Sequence, residues 1–355
     1  MRLGNLSKNL LLLFVSVGVS LLIFELVSRK YFTLIGENWH DASDWTKEMW
    51  LENHAYNPKA TTYPIDRHDS LYGWTLKANL RHVMCNDWAV SSNSKGCRGI
   101  KEYPYQRTGK FRILTIGDSF TFGECVQDSD AFPAILETLL DNTEVINLAV
   151  HGYGHDQQLL KLIYEGVAYQ PDIVLLGFLN DDINRNKISF RDYAKPYYVL
   201  ENDSLKLKGV PVPTPDAFLK SFRWKSWGLL KAKWAALNEH RNDAANEILT
   251  KKILDKMYEV CKNRNAKLVI LYLPWLQECQ NDKPCHAPLF DSLALKPGVI
   301  SVDPTFAMHD FLATQLQPDS NFTCHYSPAL NRVIAQEIAN TVKKLNYSAP
   351  NTTQP

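Results

Sequence analysis

A serine behind a glycine and an aspartate, Gly117-Asp118-Ser119, stands at the end of a short apolar run. A hydroxyl attacks an acyl carbon only when a base takes its proton, and the attacked oxygen needs hydrogen-bond donors as it turns negative. The chain holds candidates for every role. His325, in CHYSP, is the candidate base. Gly152, in NLAVHGYG, can present a bare backbone N–H, as can Ser119 itself, and Asn180, in GFLND, carries a neutral side-chain donor. The reaction these types would perform is acyl transfer through an ester on Ser119. Each also has an ordinary structural use. Asp, Ser and Asn cap helices, glycines make turns, and a lone histidine is more often ornamental than catalytic.

What turns four ordinary residues into a set is the elements that carry them. Five apolar, β-branched runs read as strands: Phe111 to Gly117, Glu144 to Val150, Asp172 to Leu179, Lys267 to Pro274 and Val299 to Asp303. Helical patterns stand between or after them, near 132–140, 156–169, 247–263 and 328–345. Strands apolar nearly throughout, alternating with helices, imply a parallel sheet covered on both faces. The expected fold is therefore α/β, a three-layer α/β/α domain on a five-stranded parallel sheet. Open parallel sheets bind ligands beyond the carboxyl ends of their strands. Ser119, Gly152 and Asn180 follow strands one, two and three, and His325 lies between the last strand and the last helix.

GDSFTFGE (117–124), NLAVHGYG (147–154), GFLND (177–181) and HYSPALNRVIA (325–335), in that order, resemble the four blocks of the SGNH/GDSL hydrolase superfamily. The resemblance implies the flavodoxin-like SGNH fold, Ser119 as nucleophile, Gly152 and Asn180 as oxyanion donors and His325 as base. An apolar N-terminus ending in FELVSR, YGWTLKAN (72–79) and NSKGCRG (93–99) also look like a membrane-anchored bacterial branch, so the likeness covers most of the chain. One position departs from it. The family usually has an aspartate three residues before the histidine, where this chain has Phe322. Asp319 is the nearest preceding acid and the expected partner of His325. Asp303, at the end of strand five, is the alternative, and a Ser119–His325 dyad is a third arrangement.

The segment between Lys8 and Arg29 is about as long and apolar as a bilayer-spanning helix requires. Its length, with no small-x-small cleavage site after it, favours an anchor over a signal peptide. The layout is then a short tail (1–8), an anchor (9–28), a connector and lead-in (29–107), the hydrolase-like domain (108–347) and a disordered tail (348–355). Within the domain, 187–241 interrupts the alternation with PVPTP and a Trp-bearing helix (Trp224, Trp227, Trp234). It reads as an insertion that borders the site or simply packs as an added helix.

The chain has 355 residues and a formal charge of +1, with no long basic run, so nucleic acid is not an expected partner. Seven cysteines without a CxxC argue against zinc, and no metal or cofactor is expected. Close spacing in polar loops suggests disulfides Cys279–Cys285 and Cys85–Cys97, with Cys261 a buried free thiol. Such bridges place the body outside the cytoplasm. For a bacterial source that means a single-pass inner-membrane protein with its catalytic domain in the periplasm. The expected activity is ester hydrolysis, with O-acetyl groups of a cell-envelope glycan as candidate substrate. The same residues would serve a glycan O-acyltransferase, and a non-catalytic glycan-binding or assembly module is the third reading.

Overall fold

The structure, a computed structural model, describes residues 3–35, 64–220, 224–237, 243–280, 285–316 and 325–345. Asp319, Phe322, most of the connector and the tail from 348 lie outside the described residues. Helix α1 (Leu3–Ile35) comes first. Two small antiparallel hairpins follow, β1 (Asp66–Asp69) with β2 (Gly73–Leu76) and β3 (Val83–Cys85) with β4 (Trp88–Val90). The main sheet comprises β5 (Phe111–Ile116), β6 (Thr143–Asn147), β7 (Ile173–Phe178), β10 (Lys267–Tyr272) and β11 (Ile300–Val302). All its pairings are parallel, in the order β11-β10-β7-β5-β6.

The five strands stand where the apolar runs predict them, and the alternation within each run explains why. In β5, Leu114 and Ile116 enter one core with Val174 and Leu176 of β7, while Phe111 and Ile113 enter the opposite core with Ile173 and Leu175. Helices α4 (His155–Tyr164) and α8 (Asp243–Asn263) cover the first face. Helices α3 (Phe132–Leu139) and α12 (Pro328–Lys344) cover the second and pack on each other. Strand β6 ends earlier than the run of apolar residues suggests. The Asn147 side chain accepts the Ala149 N–H at 3.1 Å, a tight turn that leads the chain out of the ladder.

Relative to β5, strand β6 lies on one side and β7 on the other. The switch point of the sheet therefore falls between β5 and β7, where an open α/β sheet leaves a crevice beyond its carboxyl ends. Ser119 follows β5 and Asn180 follows β7.

The lead-in is packed into this body. Ile65, Leu76, Trp88 and Val90 share a small core with Phe122 and Ala149, residues just beyond β5 and β6. The insertion begins after the short helix α5 (Asp181–Arg185), and a fully buried Lys195 pins its start, ion-paired to Asp156 of α4. It continues through the hairpin β8 (Tyr197–Glu201) and β9 (Ser204–Lys208), then α6 (Pro215–Lys220) and α7 (Lys225–Leu237). Short helices α9 (Leu276–Gln280), α10 (Pro288–Ala294) and α11 (Thr305–Ala313) flank the last two strands.

The insertion divides in two. Its first residues, around Arg191 and Asp192, lie beside Gly152. Its tryptophan-bearing helix α7 instead packs against α1, far along the chain from any site residue.

Candidate active site

Ser119 opens helix α2 (Ser119–Phe122), a single turn seated on the ends of β5 and β7. The helix sits low because Gly117 and Gly177 have no side chains. A Cβ at either would drive into Thr121 Oγ1. Asp118 caps the turn, its Oδ1 accepting the Phe120 N–H at 3.0 Å. Its other oxygen accepts from Arg185 Nη1 at 2.9 Å, so the cap is itself held by α5. Gly123, at φ +88°, ends the helix after one turn.

The far end of the turn is clamped from the lead-in. Arg98 of NSKGCRG is buried, and its Nη1 donates to the carbonyls of Phe122, at 2.6 Å, and Gly123. Nη2 donates to Val126 O at 2.7 Å and Nε to Asp128 Oδ1 at 3.1 Å. The guanidinium also lies 4.5 Å from the Phe122 ring centre, a cation–π distance.

His325 reaches Ser119 from 206 residues away, with Nε2 2.7 Å from Oγ. Its position is set by α12, whose cap Ser327 accepts the Leu330 N–H at 3.3 Å, and by Tyr326, whose hydroxyl donates to Pro274 O at 2.8 Å. The imidazole lies 4.6 Å from the Phe120 ring, centre to centre. Burial holds its pKa below the ordinary 6.5, against the pull of the Glu124 and Asp118 charges. The ring is thus neutral at neutral pH, and Nε2 can accept the serine proton when the other proton sits on Nδ1.

Nδ1 faces Cys125 Sγ at 3.7 Å. A sulfur at that distance is a weak partner beside a carboxylate. Glu124 Oε2 is 3.9 Å from Nε2, on the serine side of the ring, where it favours an imidazolium without fixing the ring's tautomer. Asp303, the alternative acid, is engaged elsewhere. It bonds His286 Nε2 at 2.8 Å and accepts the Thr305 N–H, at the start of α11, at 2.9 Å.

The oxyanion candidates divide. Gly152 sits at φ +74°, a conformation that favours glycine, and a Cβ there would strike Asp192 Oδ2 and Arg191 Nη1. Among the described residues its N–H makes no backbone hydrogen bond outside the regular elements. The Ser119 N–H lies in the first turn of a helix, which leaves such groups without an intrahelical acceptor. The Asn180 amide, in contrast, donates to Cys285 O at 2.8 Å and to Tyr272 Oη at 3.3 Å, while its Oδ1 accepts the Ala287 N–H at 3.3 Å. To serve an oxyanion it has to release a donor from Cys285 O or from Tyr272 Oη.

Next to Gly152, His151 is paired with Asp66 at 2.7 Å. Burial opposes its charge, but the Asp66 carboxylate prevails and raises its pKa to about 9. The crevice beside Gly152 therefore carries an imidazolium, a guanidinium and two aspartates. Arg98, Glu124, Arg185 and the Asp66–His151 pair are site components that the sequence reading did not single out. Arg98 lies in NSKGCRG and Glu124 ends GDSFTFGE.

The expected disulfides are overturned. Cys85, Cys97, Cys279 and Cys285 are free thiols, as is the buried Cys261. Cys97 is turned into the body, with Sγ 3.3 Å from Tyr169 Oη, and Cys279 is sunk in the apolar core while Cys285 is exposed. Cys125, beside His325, is disulfide-bonded. Among the described residues no group of three or more His, Cys, Asp or Glu side chains is placed to hold a metal ion.

No family model and no curated protein matches the chain. Solved structures do. A G-D-S-L family lipolytic protein from Desulfitobacterium hafniense is 15% identical, with a TM-score of 0.40 over 65% of this chain and 99% of that one. A catalytic mutant of an acetylxylan esterase from Geobacillus stearothermophilus is 13% identical, with a TM-score of 0.40 over 70% of this chain and 100% of that one. An alpha/beta hydrolase enzyme from the metagenome of Lake Arreo is 15% identical, with a TM-score of 0.42 over 68% and 99%.

Proposed function

We propose that the protein is a membrane-anchored serine ester hydrolase of SGNH type. The observation that carries this reading is the 2.7 Å contact between Ser119 Oγ and His325 Nε2 at the switch point of the sheet. His325 takes the Ser119 proton as Oγ bonds to the ester carbonyl carbon. The carbonyl oxygen becomes an oxyanion that accepts from the N–H groups of Ser119 and Gly152, joined by the Asn180 amide once one of its hydrogens leaves Cys285 O or Tyr272 Oη. Collapse breaks the bond to the alcohol, which departs with the proton from His325. Water then repeats the sequence on the acyl-enzyme, releasing the acid and restoring Ser119. Asp319 is the acid proposed to hold Nδ1.

The charged groups beside Gly152 favour a short acyl group on a polar carrier, such as an O-acetyl group on a glycan, over a long lipid chain. Helix α1 favours an anchor. Ser7–Lys30 is long and apolar enough to cross a bilayer, and its leucines, valines and Phe14 stand exposed. Its Glu25 also bonds residues of α7, a contact that a cleaved leader would forfeit. The Cys125 disulfide supports a body on the oxidising side of the membrane, the periplasmic side for an inner-membrane protein.

The test is hydrolysis of p-nitrophenyl acetate and of acetylated oligosaccharides by the full chain in detergent, beside Ser119→Ala. Mass spectrometry after treatment with a fluorophosphonate should find one adduct, on Ser119. Turnover that survives Ser119→Ala, or an adduct elsewhere, defeats the assignment.

A further inference from the structure

Two polar residues on the spanning helix are buried although their apolar neighbours are exposed. Glu25 is 4% exposed, and Ser28 is covered as well, its hydroxyl bonded back to Phe24 O at 2.8 Å. Helix α7 packs on α1. The Glu25 carboxylate accepts the Lys225 N–H at 3.0 Å, the Ser226 N–H at 2.9 Å and the Ser226 hydroxyl at 2.8 Å. Arg29 Nε pairs with the same carboxylate at 2.9 Å. A carboxylate on the first N–H groups of a helix satisfies donors the helix cannot and complements its dipole. Glu25 is thus the N-terminal cap of α7, supplied from a helix 200 residues earlier.

This contact fixes the height of α7. Glu25 lies five residues before the end of the Ser7–Lys30 span. At about 1.5 Å per residue, that puts it within about 8 Å of the end of the span, near the boundary between hydrocarbon and headgroups. Around α7, Trp224, Trp227, Leu230 and Trp234 are spaced by three, three and four residues, which places them along one side of a helix. All four side chains are exposed, Trp227 at 61% and Trp234 at 71%. Gly228, between them, is buried. Tryptophan is the side chain enriched at membrane–water boundaries, where its ring sits among the acyl ends and its N–H among the headgroups.

We propose that α7 is a second membrane element, lying in the lipid interface with Trp224, Trp227, Leu230 and Trp234 in the headgroup–acyl boundary and held at that depth by Glu25. The inference rests on α1 being a retained anchor. It adds that the body is bound to the bilayer at two points, so the insertion sets its orientation and does not leave it on a free tether.

The test uses the full chain in the Cys285→Ser background, labelled in detergent at one added cysteine and reconstituted into phosphatidylethanolamine–phosphatidylglycerol vesicles. Bimane is placed at Trp227→Cys or Trp234→Cys, with Leu13→Cys as the mid-span reference and Leu295→Cys, on the exposed body, as the solvent reference. Lipids with a nitroxide near the headgroup should quench the labels at 227 and 234 strongly and leave 295 unchanged. Lipids with a mid-chain nitroxide should quench 13. Glu25→Ala, which removes the cap, should lower quenching at 227 and 234 and not at 13. If 13 is quenched while 227 and 234 match 295, α7 is not in the interface and the anchor still stands. Blue-shifted but unquenched labels at 227 and 234 would mean a protein surface covers α7, which equally overturns the proposal. If 13 itself is unquenched, the anchor reading fails and this inference fails with it.

Discussion

Arg98 donates to the Phe122 carbonyl across 2.6 Å, so a residue of the lead-in holds the last turn of the helix that presents Ser119. The same guanidinium satisfies Gly123 O, Val126 O and Asp128. No other side chain offers so many donors in one rigid plane. Arg98→Met should cost about 3 kcal/mol or more of stability, because it removes a buried charge partner from Asp128 and every guanidinium donor from the Phe122, Gly123 and Val126 carbonyls, with Asn147 and the Val126 N–H left to hold the first two. Arg98→Lys keeps the charge and loses the fork. It should fold, with kcat reduced on the order of tenfold and KM little changed, since misplacing a nucleophile costs turnover before binding. Denaturant unfolding and steady-state kinetics on the two variants check this. Wild-type kcat in Arg98→Lys would remove the clamp from the account of catalysis.

The Asn180 amide is occupied by Cys285 O and Tyr272 Oη in the resting arrangement. As an oxyanion donor, it should lower kcat by about a hundredfold or more when replaced by alanine. A small effect of Asn180→Ala would assign the hole to the Ser119 and Gly152 N–H groups alone. Gly152→Ala should then be the more damaging change, because its Cβ meets Asp192 and Arg191 at a positive φ. Kinetics of both variants on one ester decide between them.

The sheet was legible because strands buried on both faces must be apolar throughout, as Ile113, Leu114, Ile116 and Val174, Leu175, Leu176 are. Ser119, His325 and Gly152 were legible because each sits where a strand or helix boundary fixes it. Contacts between elements distant in the chain were not. NSKGCRG shows an arginine, but not that it ends on the carbonyls of Phe122 and Val126. Spacing suggested Cys85–Cys97, yet Cys97 is drawn to Tyr169. Nothing in the apolar N-terminal run says what its lone acid, Glu25, does, while in the structure it caps a helix of the insertion. Sequence patterns register what one element does to itself. They do not register which far side chain completes a polar end.

Burial lowers the pKa of His325 below 6.5, and only its neutral form can take the Ser119 proton. Activity should therefore hold steady as pH falls towards 6.5 and decline only below it, seen as the acid limb of kcat/KM. The Glu124 charge works against the burial effect, so Glu124→Gln should move that limb further down. An acid limb above 6.5 would mean that a carboxylate, Asp319 being the proposed one, stabilises the imidazolium more than burial opposes it.

The Asp66–His151 pair makes the lead-in's grip on the crevice dependent on pH. Burial disfavours the imidazolium, but the adjacent carboxylate raises the His151 pKa to about 9. Protonation is thus tighter in the folded chain than in the unfolded one, where the value is near 6.5. The sign follows from linkage. The pair contributes its full stability below pH 6.5, loses it progressively above, and contributes none once pH passes well beyond about 9. The ceiling on that loss is about 3 kcal/mol, and both side chains are buried enough for solvent to screen little of it. Urea unfolding of the full chain in detergent at pH 6 and pH 10 should show the decline. Asp66→Asn should be less stable at pH 6 and should lose less on going to pH 10. Because His151 precedes Gly152, the alkaline limb of kcat should also shift in Asp66→Asn. Equal losses in wild type and Asp66→Asn between the two pH values would show that another group titrates and that the pair is not the one that matters.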